Sequence, residues 1–75
     1  MELPRVTAKE IIAVLERLSF SLSRQSGSHK IYKNQQGRRV TIPFYGSKIL
    51  HPKILKSIMR DTDVSLERLI ELLHE

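Results

Sequence analysis

The chain has 75 residues and no cysteine, and 40% of it is apolar, enough for one modest core without a disulfide or a cysteine-based zinc site to hold it. Thirteen Lys and Arg against eight Asp and Glu give a net charge of +5, and no apolar run approaches the roughly 18 residues of a membrane span. Multi-domain enzymes, secreted disulfide scaffolds and membrane proteins are thereby excluded, which predicts one soluble, cytoplasmic domain over residues 1–75.

Thr7-Ala8-Lys9-Glu10 reads as a capping box, in which hydroxyl and carboxylate satisfy the first orphan amides of a helix. Ile11, Val14, Leu15 and Leu18 follow at helical spacing, so a helix is predicted over about Ala8–Leu18. At Phe20-Ser21-Leu22-Ser23 the period switches to two, which predicts a first strand broken at Ser26-Gly27-Ser28. His29–Lys33 is the second strand, and Asn34-Gln35-Gln36-Gly37 is a hairpin connection of the four-residue kind. Arg38–Ile42 is the third strand, closed by Pro43, and Phe44–Leu50 is a loop. Pro52 suits the first position of a helix, whose stripe is Ile54, Leu55, Ile58 and Met59. Thr62-Asp63-Val64-Ser65 interrupts that stripe, and Ser65 caps a short last helix carrying Leu66, Leu69, Ile70 and Leu73.

The order is α-β-β-β-α, with the last helix in one or two pieces. Short strands with tight connections pair as an antiparallel meander, so the expected class is α+β, a three-stranded sheet with its helices on one face and the other face open. With Ile31, Val40 and Ile42 directed at the helices, the period of two sends Lys30, Tyr32, Arg39 and Thr41 to the open face. The same parity puts His29 on the side of Ile31, at the strand's end.

Charge is distributed unevenly. Between Glu16 and Asp61 there is no acid, while Arg17, Arg24, Lys30, Lys33, Arg38, Arg39, Lys48, Lys53, Lys56 and Arg60 all lie in that stretch. Both flanks are net acidic. A long cationic segment of this kind attracts polyanions, and nucleic acid is the expected partner ahead of a merely solvated basic surface.

Three histidines are available for chemistry. His74 is close to the acidic C-terminal end and reads as a helix-terminal charge. His51 precedes Pro52 and reads first as a helix start. His29 follows Gly27-Ser28 within the acid-free stretch, near Arg24, Lys30 and Lys33. It is either a strand-edge histidine bonded to the backbone or a general base. Metal catalysis is not expected: there is no H-x-H or H-E-x-x-H, and no central acid to hold magnesium. Ser28 has no orienting acid nearby for a Ser-His-Asp arrangement. Metal-free cleavage of RNA stays open, because RNA carries its own nucleophile: a histidine can take the 2′-OH proton while Lys or Arg stabilises the phosphate.

Three stretches carry a family resemblance: Arg24-Gln25-Ser26-Gly27-Ser28-His29-Lys30-Ile31-Tyr32, Gly37-Arg38-Arg39-Val40-Thr41-Ile42-Pro43, and Leu50 through Ile58 and Met59. Over about residues 7–73 the chain resembles the HicA family of bacterial mRNA-interferase toxins. The resemblance implies a fold similar to the double-stranded-RNA-binding domain, mRNA cleavage without the ribosome and without a cofactor, and His29 of the Gly-Ser-His triplet as the catalytic residue. It also implies a HicB-type antitoxin that covers the site and represses the operon. The residues expected against RNA are Arg24, Ser28, Lys30, Tyr32, Lys33, Arg38, Arg39, Tyr45 and Lys48. In one place the chain departs from the family. Many members carry a second histidine two residues after the strand-ending proline, where this chain has Tyr45. A phenol with a pKa of about 10 stacks on bases and donates a hydrogen bond but is a poor base at neutral pH.

The alternative to a nuclease is a non-catalytic module holding RNA by phosphates and 2′-hydroxyls. A third reading is a protein that titrates a partner through Glu67, Glu71 and Glu75, spaced by four, though a solvated helix face explains that pattern as well.

Overall fold

The computed structural model describes residues 3–45 and 47–75. Its elements are α1 (Ala8–Arg17), β1 (Ser21–Ser26), β2 (His29–Lys33), β3 (Arg39–Pro43), α2 (Pro52–Thr62) and α3 (Leu66–Leu73). The expected order holds, and the last helix is in two pieces.

Local chemistry accounts for the helix starts. Both halves of the Thr7–Glu10 capping box form, with the Glu10 amide donating to the Thr7 hydroxyl at 3.2 Å and the Thr7 amide donating to the Glu10 carboxylate at 2.9 Å. Ser65 caps α3 by accepting the Arg68 amide at 3.1 Å. His51 caps α2, its ring Nδ1 accepting the Lys53 amide at 3.0 Å, and Pro52 follows in the first turn.

The helix ends need backbone geometry that composition does not announce. Ser19 adopts φ 69° just after α1. Its amide donates to Glu16 O at 3.1 Å and that of Phe20 to Leu15 O at 2.9 Å, the paired bonds of a Schellman closure, with the buried Leu15 and Phe20 side chains completing it. Asp63, at φ 57°, closes α2 in the same way through Arg60 O and, from Val64, Met59 O.

The three strands form an antiparallel meander in the order β1-β2-β3. β1 runs further than its alternation suggests, through Ser26, because Gly27-Ser28 is a two-residue hairpin connection rather than a break. Gly27 at φ 58° and Ser28 outside the left-handed region fit a type II′ turn, and Gln25 Nε2 donates to Gly27 O at 3.2 Å. The second connection spans Asn34–Arg38, one residue longer than expected. Asn34 organises it, its carboxamide oxygen accepting the amides of Gln36 and Arg38 at 3.1 and 2.9 Å.

Helices cover one face of the sheet. The core between the layers includes Val6, Ile11, Leu15, Tyr32, Val40, Ile42, Leu55, Ile58, Leu69 and Leu72, each nearly sealed from solvent. α2 packs on β3 and α3 packs on α1, so the helix layer sits toward β3 and β2. β1 is exposed along its whole length. The chain before α1 is tied to the loop before α2: Thr7 bridges Ile49, and the Leu50 amide donates to Val6 O at 2.8 Å. That tie buries Leu50 and turns Ile49 outward, by the alternation of extended chain.

Parity in β2 is opposite to the expectation. Tyr32 pairs with Val40 and Lys30 with Ile42, so Tyr32 and Lys30 face the helices, while Ile31 pairs with Thr41 on the open face. Tyr32 is 4% exposed. Its ring fills core volume that Ile31 would leave empty, and Lys30 lays its stem along the same face with Nζ 4.3 Å from the centre of the Phe44 ring.

Candidate nucleic-acid interface

On the open face the register sets out three rows across the sheet: Ser21, Lys33 and Arg39; Arg24, Ile31 and Thr41; Ser26, His29 and Pro43. A bulge at Ser23 between Leu22 and Arg24 makes this possible. It shifts the phase of β1 so that Leu22 shares the helix-side row with Tyr32 while Arg24 turns to the open face.

Two cations stand directly opposite each other in the first row. Like charges at Lys33 and Arg39 repel across paired strands, and among the described residues no acid bridges either of them. Arg24 and Lys48 are likewise exposed without an ion pair or side-chain hydrogen bond there. Such an arrangement costs folding free energy unless an anion joins it, and a field of this sign attracts polyanions.

His29 is the first residue of β2, exposed at the head of the strand, with the Gly27-Ser28 turn immediately before it and Pro43 across the ladder. The Gly-Ser pair therefore has a definite task. Glycine supplies the positive φ that turns the chain in two residues, and the turn lifts the imidazole onto the open face at the sheet's end. Ser28 is exposed in the turn, and its carbonyl accepts the Phe44 amide at 2.6 Å, which closes the ladder beside His29.

The structure gathers Arg24, His29, Lys33 and Arg39 on one face, with Ser28 at its rim. It removes three expected residues from that face. Tyr32 is in the core, for the packing reason given above. Lys30 is half-buried over Phe44 on the helix side. Arg38 is occupied structurally: a guanidinium nitrogen donates to Asp61 O at 3.2 Å, and another lies 3.7 Å from the Asp63 carboxylate, so the side chain fastens the end of α2. Arg17 and Arg60 are engaged too, the first with the Leu72 and Glu75 carbonyls at 3.0 Å each, the second with Ser57 and Asp61.

Tyr45 and Lys48 lie beyond Pro43 and line a hollow of about 190 Å³ together with Pro43, Ile49, His51 and Ile54. Sequence reasoning placed Phe44–Leu50 in a plain loop and missed this hollow. The signal available was the pair Ile49-Leu50, two large apolar residues in a segment that cannot bury both.

A family model described as "HicA toxin of bacterial toxin-antitoxin" matches residues 8–64, from the start of α1 to just past the end of α2. No curated protein matches the chain.

Proposed function

The chain belongs to the HicA family of toxins from bacterial toxin-antitoxin systems, and from that premise we propose that it is an endoribonuclease cleaving mRNA without a metal, with His29 as the general base. The observation that carries this reading is the position of His29, exposed at the head of β2 on a face whose cations have, among the described residues, no acid to neutralise them. The imidazole takes the proton of a ribose 2′-OH, the 2′-oxygen attacks the adjacent phosphorus, and the bond from phosphorus to the 5′-oxygen breaks. The leaving 5′-oxygen takes a proton from the imidazolium or from water, so the products are a 2′,3′-cyclic phosphate and a 5′-hydroxyl. Arg24, Lys33 and Arg39 hold the backbone and stabilise charge on the phosphorane. Ser28 contributes a hydroxyl at the rim. The enzyme works in the cytoplasm beside its substrate, and its partner is a HicB-type antitoxin that covers the open face.

The test is cleavage of end-labelled RNA in excess EDTA by the wild type and by His29→Ala. Because His29 is exposed, its truncation should move stability by no more than about 0.5 kcal/mol. The expected result is cleavage by the wild type alone, leaving 2′,3′-cyclic or 3′-phosphate ends. Cleavage by both proteins rejects His29 as the base. Intact RNA that both proteins shift in a salt-sensitive way favours the non-catalytic binding module, for which the unpaired cationic row is already sufficient.

A further inference from the structure

We propose that the hollow beyond Pro43 is a subsite for one unstacked nucleobase of single-stranded RNA, next to the nucleotide whose phosphate lies at His29. The inference rests on the ribonucleolytic reading for its choice of ligand, and on four structural observations for the rest.

The first is location. Pro43 is both the cross-ladder partner of His29 and a wall of the hollow. Paired residues of antiparallel strands have Cα atoms about 5 Å apart, so the Pro43 wall of the hollow adjoins the strand position that carries the imidazole.

The second is the lining. Leu22, Tyr45 and Ile49 are the large apolar side chains that are most exposed among the described residues, and two of these three wall this hollow. Tyr45 is 54% exposed and Ile49 51% exposed, apolar surface that a folded chain normally covers. Ile49 is held outward by the bridge to Thr7 rather than by chance, and Ile54 forms the floor from the first turn of α2.

The third is polarity. Among the described residues no acid lines the hollow, and Lys48 is on its lining for the phosphate that accompanies a base. His51 adds a directional group. Its Nδ1 is used as acceptor by the α2 cap at 3.0 Å, so the neutral ring carries its proton on Nε2 and offers a donor there. A base presents ring nitrogens and carbonyl oxygens as acceptors to such a donor, and an aliphatic ligand does not.

The fourth is size. A volume of about 190 Å³ accommodates a single planar ring. A base that fills it is pulled out of its stack, which selects single-stranded RNA over duplex. Nucleotide preference at that one position is its direct consequence.

The experiment is an NMR titration of the full chain with each of the four 5′-nucleoside monophosphates, and with inorganic phosphate as the control probe. Shifts at the Ile49 and Ile54 methyls and the Tyr45 ring that follow the nucleotide and not phosphate support the subsite. Tyr45→Ala should weaken that binding about tenfold, the scale of one lost base–aromatic stack, while Tyr45→Phe retains it. Shifts confined to the Arg24–Arg39 face, or equal shifts with phosphate alone, overturn it. No shift at the hollow with any nucleotide also overturns it and leaves those apolar walls to a protein partner. Monophosphates bind without being cleaved, so the outcome is separate from the EDTA assay: nucleotide binding here stands if His29 proves not to be the base, and its absence leaves the nuclease reading intact.

Discussion

Burial pushes the Tyr32 phenol above its ordinary value, and the Glu16 carboxylate on α1 adds to the shift. The unfolded chain therefore loses this proton more readily than the folded one. Stability from the shift is complete below about pH 10, the ordinary tyrosine value, and is lost as the pH rises through the raised folded value. Urea midpoints measured from pH 8 to 11.5 should fall on the alkaline side for the wild type, and less steeply for Tyr32→Phe, which has no proton to lose. At neutral pH the phenylalanine variant should cleave RNA normally, since Tyr32 is in the core. Its burial was not legible in the sequence, because a tyrosine and an isoleucine one position apart are equally good strand residues. Only the register against Val40 and Ile42 decides which of them meets the helices. His29, by contrast, was legible as a residue, since the Gly-Ser pair before it and the acid-free stretch around it are both local features.

At the scale of elements, two substitutions separate turn geometry from side-chain chemistry. Ser19 pays a left-handed penalty to close α1, while glycine takes that conformation freely. Ser19→Gly should raise stability by about 1 kcal/mol in denaturant titrations, without touching RNA cleavage. Gly27→Ala makes the opposite change. A Cβ there meets no atom within 4 Å, so the cost is backbone strain alone, about 1 kcal/mol. That strain falls on the turn that presents His29, so cleavage should fall tenfold or more while the protein stays folded at room temperature, as circular dichroism and the rate assay together report. Helix starts were readable because their caps are local: Thr7 with Glu10, Ser65, and Pro52 all announce themselves. The ends were placed to within a residue, at Leu18 and at Thr62-Asp63, but their left-handed closures at Ser19 and Asp63 were not legible, since neither residue is a glycine and each closure is completed by core contacts of the following residue. The Ser23 bulge escaped for a similar reason, as the sequence Ser21-Leu22-Ser23 alternates perfectly well without it.

Across the whole molecule, the acid-free stretch divides into cations that hold the fold and cations that face solvent. Arg24 and Arg39 belong to the second group, and removing either should weaken RNA binding and lower the slope of log K against log salt by about one. Arg38→Ala should leave that slope nearly unchanged and instead cost about 0.5 kcal/mol, since its exposed ion pair and single carbonyl contact hold the end of α2. Affinities at several salt concentrations, set beside thermal melts of the three variants, distinguish the two groups. Composition reported the excess of positive charge correctly, yet it could not assign Arg38 and Arg39 to different tasks. Adjacent residues on a strand's approach point in different directions, and the carbonyl at Asp61 that claims Arg38 lies 23 positions away.

The two hairpins and the helix pair differ greatly in how much chain they enclose. β1 meets β2 around Gly27-Ser28 and β2 meets β3 around Asn34–Arg38, whereas Arg17 reaches the Leu72 carbonyl across 55 positions. Closing a short loop costs little entropy and closing a long one costs more before any contact returns it. On that ground the meander is expected to form first and α1 to dock with α3 afterwards, an order that φ-values at Val40 and Leu69 would check. Changes in the turns act first on the rate of folding, and changes at the α1–α3 seam, among them Leu69 and Leu72, act first on the rate of unfolding. The turn that lifts His29 to the open face closes one of the shortest loops in the fold, so the position of that imidazole should be set before the molecule is sealed.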